Sequence, residues 1–323
     1  MNPSRSASSV GVCVLLPFYN PNEGHFEACI RSLNDQTFQQ FKVIFIDDGG
    51  AIRLDDAWFA ERATFAHEIL RLPRNQGVGG ALNAGLKRVD TPLIARMDAD
   101  DLSSADRFEK QVAFLESHPE VGVVGTQTRR FGNVDATSRM PLHHREMAPL
   151  LPFTLPFIHA SIMLRTTAVE GLSYSEVVPG AEGFPLWAAM IHQKVRFANL
   201  PEVLYHYRIE GQNTSVLSRN DRVDRFNAFQ EETLHRLFGV SREEASPWIQ
   251  SGALAQLAFS TRTDAPWIPR KELRRFAELL LEWTERHAES LDGTSEMRRL
   301  LSRRLFWNAH PLLHRLYKVI FFK

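Results

Sequence analysis

Three apolar runs in this sequence stop abruptly at groups that can take part in chemistry. VGVCVLLPF runs into Pro17-Phe18-Tyr19-Asn20, FKVIFI into Asp47-Asp48, and LIARM into Asp98-Ala99-Asp100-Asp101. Carboxylates gathered in one place repel one another unless a cation or hydrogen-bond donors offset the charge. Asp98 and Asp100 offer only oxygen, which suits a hard, octahedral ion such as Mg2+ or Mn2+ that keeps waters and shares phosphate oxygens with a ligand. Two carboxylates hold such an ion weakly, so a diphosphate would have to complete its shell. No HExxH pair and no cysteine pattern points to zinc. Any one acidic pair alone reads as a helix N-cap or a solvated loop, and Asp101, followed by Leu102-Ser103, is read that way. Three clusters at three strand ends are not.

The elements that must position these groups alternate. Residues 10–18 form a short, nearly continuous apolar run, as in a strand buried on both faces of a parallel sheet. PNEGHFEACIRSLNDQ places Phe26, Ile30 and Leu33 at helical spacing, and FKVIFIDDGG is a second buried strand. Residues 68–72 form a short third strand. GVGGALNAGLKRV reads as a helix despite its glycines, and TPLIARM as another strand. SADRFEKQVAFLESHP is an amphipathic helix with a serine as candidate cap, and VGVVGTQT a further strand. Such alternation implies right-handed crossovers and an α/β layered fold, whose ligands bind beyond the carboxyl ends of the strands.

After about residue 211 the character changes to amphipathic helical patterns over 221–237, 243–259 and 270–287, separated by Gly, Pro and Ser. The expected division is an α/β domain over residues 8–215 and a mostly helical region over 216–323. The 323 residues carry 38 Lys+Arg against 38 Asp+Glu, which argues against a general nucleic-acid binder. The last 27 residues, 297–323, are the exception: Arg298, Arg299, Arg303, Arg304, Arg315, Lys318 and Lys323 stand there with no acid. Cys13 and Cys29, the 2 cysteines, exclude a disulfide scaffold and read as buried, reduced thiols. The start lacks a hydrophobic signal core and no apolar run is long enough to span a bilayer, so the expected location is the cytoplasm.

PFYNPNE, IRSLNDQTFQQFKVIFIDDGG, RNQGVGGALNAGLKRVDTPLIARMDADD and DRFEKQVAFLESHPEVGVVG, in this order, resemble the family 2 glycosyltransferases of bacterial surface-polysaccharide synthesis. IHASIMLR, AEGFPLW and NLPEVLYHYR resemble the second half of the same domain, so the likeness runs from about Ser8 to Arg208. The resemblance implies a GT-A fold, a nucleotide-sugar donor, a divalent metal (Mn2+ or Mg2+) and inversion at the anomeric carbon. It implies that Pro17 and Tyr19 line the base pocket, with the Tyr19 ring against the base, and that Asn20 belongs to the nucleotide-sugar site. Asp48 would accept from the base or ribose, supported by Asp47. Asp98 would face the ribose or the metal, and Asp100 would bind the metal and through it the diphosphate. Asn75, Gly77, Asn83 and Gly85 match a stretch beneath the donor; close helix–sheet packing and capping account for them equally well. Arg208 reads either as a partner of the diphosphate or as a surface ion pair.

Inversion needs a general base to take the proton of the acceptor hydroxyl. In the resembling family it comes from an acidic pair, usually Glu-Asp, before a leucine-tryptophan helix. Here the stretch reads Ala181-Glu182-Gly183-Phe184-Pro185-Leu186-Trp187, so Glu182 is the expected base and glycine stands where aspartate is usual. Glu182 also reads as a helix N-terminal carboxylate, Trp187 as core and His159 as a hydrogen-bonded core or acceptor-pocket residue. Expected partners are the nucleotide-sugar, UDP-linked by first choice, and a glycan or lipid-linked glycan acceptor. Residues 297–323, basic and aromatic together, suit either the headgroups of the inner membrane face or a packed terminal helix. Two other readings remain: a sugar nucleotidyltransferase, which lacks its expected glycine-rich, lysine-ended loop here, and a non-catalytic nucleotide-sugar-binding relative that scaffolds an assembly complex.

Overall fold

The structure, a computed structural model, describes residues 11–138, 140–147, 157–175, 182–210, 231, 235 and 240–250. In chain order the elements are β1 (Val12–Phe18), α1 (Glu23–Asn34), β2 (Phe41–Asp47), α2 (Asp56–Arg62), β3 (Ala66–Arg71), α3 (Gly77–Leu86) and β4 (Leu93–Arg96). Then come β5 (Leu102–Ser103), α4 (Arg107–Ser117), β6 (Val121–Gly132), β7 (Ala136–Thr137), α5 (His144–Met147), β8 (Met163–Arg165), α6 (Phe184–His192), β9 (Arg196–Ile209) and α7 (Arg242–Gln250).

The chain divides into two compact units. The described parts of residues 1–142, 157–186 and 195–216 make the first, and those of 143–156, 187–194 and 217–323 the second. The first holds one sheet in the order β3-β2-β1-β4-β8-β6-β9-β5, with β7 paired to β6. β1, β2, β3 and β4 are mutually parallel, so Phe18, Asp47 and Arg96 end on one edge. The order reverses about β1, a switch point of the kind that opens a crevice at the carboxyl ends of the strands. β8 runs antiparallel to both β4 and β6.

Continuous apolar sequence gives β1 and β2 their burial on both faces: every residue of β1 is buried, and only Lys42 of β2 is half-exposed. α1 starts where Asn22 accepts the His25 amide (3.0 Å) and lays Phe26, Cys29, Ile30 and Leu33 on the sheet. There the Phe26 ring meets Phe45 and Phe59 edge-on, each at 5.8 Å. α4 differs from the expected amphipathic helix in two respects. Its cap position is Asp106 with no side-chain hydrogen bond, while the Ser104 hydroxyl sits 3.0 Å from His206 Nε2. Arg107 and Gln111 lie on its buried face. The third strand starts two residues earlier than the sequence reading, at Ala66, and β6 continues to Gly132.

In the second unit Trp187, Met190 and Ile191 of α6 are buried, which makes Trp187 core rather than an open platform. α7 covers the first half of the expected 243–259 helix. The expected boundary at 215/216, the 270–287 helix, most of 221–237 and the basic stretch 297–323 lie outside the described residues. Among the described residues no helix is long and apolar enough to cross a membrane.

Candidate functional site

The ends of β1, β2 and β3 are stitched together by short polar contacts. Pro17 is buried within β1, and the chain leaves the strand through exposed Tyr19 and Asn20. Asn20 has φ of 43°, a left-handed conformation that asparagine tolerates better than most residues. There its Oδ1 accepts the Ile52 amide (3.0 Å). Any side chain at Gly50 would collide with Asn20, and one at Gly49 (φ 72°) with the Arg74 backbone. Asp47 accepts from the Gly50 amide (3.2 Å) and lies 3.5 Å from Arg53 Nη1. Asp48 accepts the Gln76 amide at 2.7 Å and also bonds the Gly77 amide. It therefore caps α3, where a carboxylate meets free N–H groups and the positive end of the helix dipole. Burial nevertheless raises its pKa, against the pull of those two amides. Asn75 accepts the Gly77 amide (3.1 Å) in the same turn.

At the end of β4 the loop 98–101 is tied to β9. The Asp98 carboxylate lies 2.5 Å from Nη1 of Arg96, the last residue of β4. The Asp98 amide donates to the Tyr205 hydroxyl (3.2 Å), and the Cys29 thiol donates to the Asp98 carbonyl (3.4 Å). Arg208 donates its amide to Asp101 Oδ1 (2.7 Å) and its Nε to the Asp100 carbonyl (2.8 Å), with its guanidinium 4.6 Å from the Phe131 ring. Arg208 is thus part of this cluster rather than a remote surface pair, although it also meets Glu210 at 3.2 Å. Asp101 corrects the sequence reading. It neither caps a helix nor meets solvent: it is fully buried and accepts from the Tyr205 hydroxyl and the Arg208 amide.

Burial, and then the Asp98 charge, push the Asp100 carboxyl up to about 6. Burial with the charges of Asp98 and Asp100 drives Asp101 up more strongly. Charge of this kind is relieved by a cation, and the donor set is oxygen only, so the residues present fit a Mg2+- or Mn2+-like ion. Among the described residues no cluster of three or more His, Cys, Asp or Glu forms a complete cage. Substrate oxygens would have to supply the remainder.

Glu182 lies against the same helix that Asp48 caps. Its carbonyl accepts the Ser175 amide (3.0 Å), and a side chain at Gly79 in the first turn of α3 would strike the Ser175 carbonyl and come within 3.1 Å of Glu182 Cβ. Glu182 is 8% exposed. Next to Ser175, Tyr174 exchanges two hydrogen bonds with the Asn83 side chain (2.8 and 3.0 Å). Asn83 is therefore a packing clamp, and Gly85 likewise leaves room for Ile46 and Leu15. The Tyr174 hydroxyl feels the charges of both Arg96 and Glu182, and burial raises its pKa. His159 Nε2 sits 3.3 Å from that hydroxyl; burial and the Arg96 charge hold the ring neutral.

Four residues of this site escaped sequence reading: Arg96, Arg107, Tyr174 and Tyr205. Arg107 donates to the Arg96, Ala160 and Ile162 carbonyls (2.8, 3.3 and 3.3 Å), and its guanidinium lies 5.0 Å from the Tyr205 ring. The available signal was an arginine at the end of a four-residue apolar strand, immediately before the acidic cluster.

Comparison with known proteins gives a consistent result. The sequence pattern described as glycosyl transferase family 2 matches residues 13–171. The amylovoran biosynthesis glycosyltransferase AmsE of Erwinia amylovora is 32% identical over 199 residues, 60% of this chain and 75% of that one. The O-antigen biosynthesis glycosyltransferase WbnJ of Escherichia coli is 28% identical over 203 residues, 59% of this chain and 76% of that one. The crystal structure of S. aureus TarS 1–349 in complex with UDP-GlcNAc superposes with a TM-score of 0.61 over 94% of this chain and 86% of that one, at 17% identity. That likeness is one of fold, the GT-A arrangement anticipated from the sequence.

Proposed function

The chain belongs to glycosyl transferase family 2, and we propose that it moves a sugar from a nucleotide-sugar, UDP-linked by first choice, onto a growing surface glycan with inversion at the anomeric carbon. The observation that carries this reading is the meeting of Asp48, Asp98 and Asp100 on one sheet edge, with Glu182 packed on the helix that Asp48 caps. The substrate class draws support from the relatives named for amylovoran and O-antigen biosynthesis. The donor class draws support from the UDP-GlcNAc complex of the structural neighbour.

In this reading Pro17, Tyr19 and Asn20 border the base, with the half-exposed Tyr19 ring as its stacking surface. Asp48, supported by Asp47, accepts from the base or ribose, and Asn75 closes the turn beside them. Asp98 accepts from a donor hydroxyl. Asp100, with Asp98 beside it, would hold Mn2+ or Mg2+; when bound, the ion neutralises charge on the departing diphosphate. Arg208 braces the Asp100 backbone and adds positive charge next to that diphosphate. Glu182 takes the proton of the acceptor hydroxyl as that oxygen attacks the anomeric carbon. With glycine at 183, Glu182 is the one carboxylate available from the acidic pair. The basic and aromatic residues of 297–323 are proposed to meet anionic headgroups on the cytoplasmic face, near a lipid-linked acceptor.

The test is release of free nucleotide from a panel of nucleotide-sugars with Mn2+, Mg2+ or chelator, membrane extract supplying acceptor. Metal-dependent release from one donor supports the reading. Metal-dependent donor binding without release would instead favour a scaffold that has lost catalysis, with Gly183 as its mark.

A further inference from the structure

β4 is four residues long and buried throughout, and its last position is an arginine among apolar neighbours. Arg96 is 5% exposed, and its Nε is shut from solvent without a hydrogen bond. Its ion-pair partner is Asp98, whose Oδ1 lies 2.5 Å from Nη1. A guanidinium desolvated with so few partners costs stability, and an apolar side chain of similar volume would avoid that cost. Arginine at this place therefore serves something other than the core.

Its mounting is rigid. The Arg96 amide donates to the Ile162 carbonyl (3.0 Å), and its carbonyl accepts from Arg107 Nη2 (2.8 Å). Asp98 is tied as firmly, through its amide to Tyr205, its carbonyl to Cys29 and Oδ1 to Arg96. Oδ2 is left to accept from a ligand, on a side chain 29% exposed. Asp100 is treated differently. Arg208 donates to its main-chain carbonyl and pairs with Glu210, and the Arg208 and Arg96 charges act on the Asp100 carboxylate only from a distance, without an ion pair among the described residues.

We propose that Arg96 is a positioning residue that divides the work of the two aspartates. It holds Asp98 as a charge-compensated acceptor for one hydroxyl of the donor, and so leaves the cation to Asp100. The inference rests on the assignment of Asp98 and Asp100 to donor and cation under the proposed function. Without Arg96, Asp98 becomes a second carboxylate without an ion pair beside the cation position. Bare Mn2+ should then bind more tightly while the donor binds more weakly, a pair of opposite signs that lost packing does not produce.

The experiment measures Mn2+ affinity without nucleotide, by titration followed with electron paramagnetic resonance. It also measures UDP-sugar affinity by calorimetry, for the wild type, Arg96→Lys, Arg96→Met, Asp98→Asn, Asp100→Asn and the Arg96→Met/Asp98→Asn pair, with a thermal melt of each. The expected results are tighter Mn2+ binding by Arg96→Met and donor affinity lower by about tenfold or more, the loss of one hydrogen bond to a charged group. Arg96→Lys should restore both toward wild type. In the Asp98→Asn background, Arg96→Met should cost no further donor affinity, since coupled residues are not additive. Weakening of Mn2+ and donor together, additive with Asp98→Asn, would overturn the inference. If Asp98→Asn and Asp100→Asn both leave donor and Mn2+ affinity at wild-type values, the underlying assignment fails, and the inference with it. If Arg96→Met does not fold, Arg96→Lys decides: donor affinity near wild type that falls with Asp98→Asn sustains the inference, and donor affinity as low as in Asp98→Asn with weaker Mn2+ contradicts it.

Discussion

The Tyr205 hydroxyl donates to Asp101 Oδ2 across 2.6 Å, and both residues are fully buried. Tyr205 belongs to β9 and Asp101 to the loop after β4, so residues more than a hundred positions apart fix the place of Asp98 and Asp100. Tyr205→Phe leaves Asp101 Oδ2 without that donor and the Asp98 amide without its acceptor. A buried group left unsatisfied costs about 1–3 kcal/mol. We expect a loss of stability in that range by urea unfolding, together with weaker donor binding. A variant as stable as wild type with normal donor affinity would remove Tyr205 from this role.

The Asp100 carboxyl, pushed up to about 6 by burial and the Asp98 charge, sets a pH dependence. Its pKa in the fold is above the free value of about 3.9, so the fold favours the protonated form. The stability it contributes is complete below about pH 4 and is lost as pH rises through about 6. A cation takes the ionised form and works in the opposite sense. Mn2+ should raise the melting temperature at pH 7.5 and raise it much less at pH 5. A larger Mn2+ effect at pH 5 would contradict the assignment.

Asp48 combines two roles that substitution can separate. Asp48→Ala removes the cap of α3 and should cost about 0.5–2 kcal/mol. Asp48→Asn keeps an oxygen for the Gln76 amide and should recover most of that stability. It should still lose donor affinity by about tenfold, as expected for a hydrogen bond to a charged acceptor. Equal recovery of stability and donor binding would make Asp48 a structural cap alone.

How far the site was legible depended on sequence distance. The strand ends at Phe18, Asp47 and Arg96 follow from apolar runs that stop at polar residues, a local signal. The buried Phe26, Ile30 and Leu33 follow from helical spacing, a local pattern as well, whereas Asp48 meets the Gln76 amide 28 positions further on. Asp101 was misread because its donors, Tyr205 and the Arg208 amide, reach it by a strand pairing that no local pattern announces. Arg107 was hidden for a related reason. On an amphipathic helix an arginine is expected in solvent, yet this one finds three carbonyls at the ends of neighbouring segments. Arg96 interrupts an apolar run, and only the fold sets Asp98 beside its guanidinium.

Gly79 bears on the placement of Glu182. A methyl group there strikes the Ser175 carbonyl and presses on Glu182 Cβ. Gly79→Ala should shift the 175–182 connection and lower transfer about tenfold or more while donor affinity stays near wild type, because misplacing a reacting group costs rate. Lost donor affinity with unchanged turnover would place Glu182 away from the acceptor chemistry.

The most direct test is transfer by Glu182→Gln, a change of one proton-accepting oxygen for an amide of the same shape. Rates should be measured with saturating UDP-sugar, Mn2+ and acceptor, alongside donor affinity. A general base contributes roughly 100- to 10,000-fold, so transfer should fall by at least about 100-fold with donor affinity within a few-fold of wild type. Transfer at the wild-type rate would show that Glu182 does not take the acceptor proton and would contradict the account.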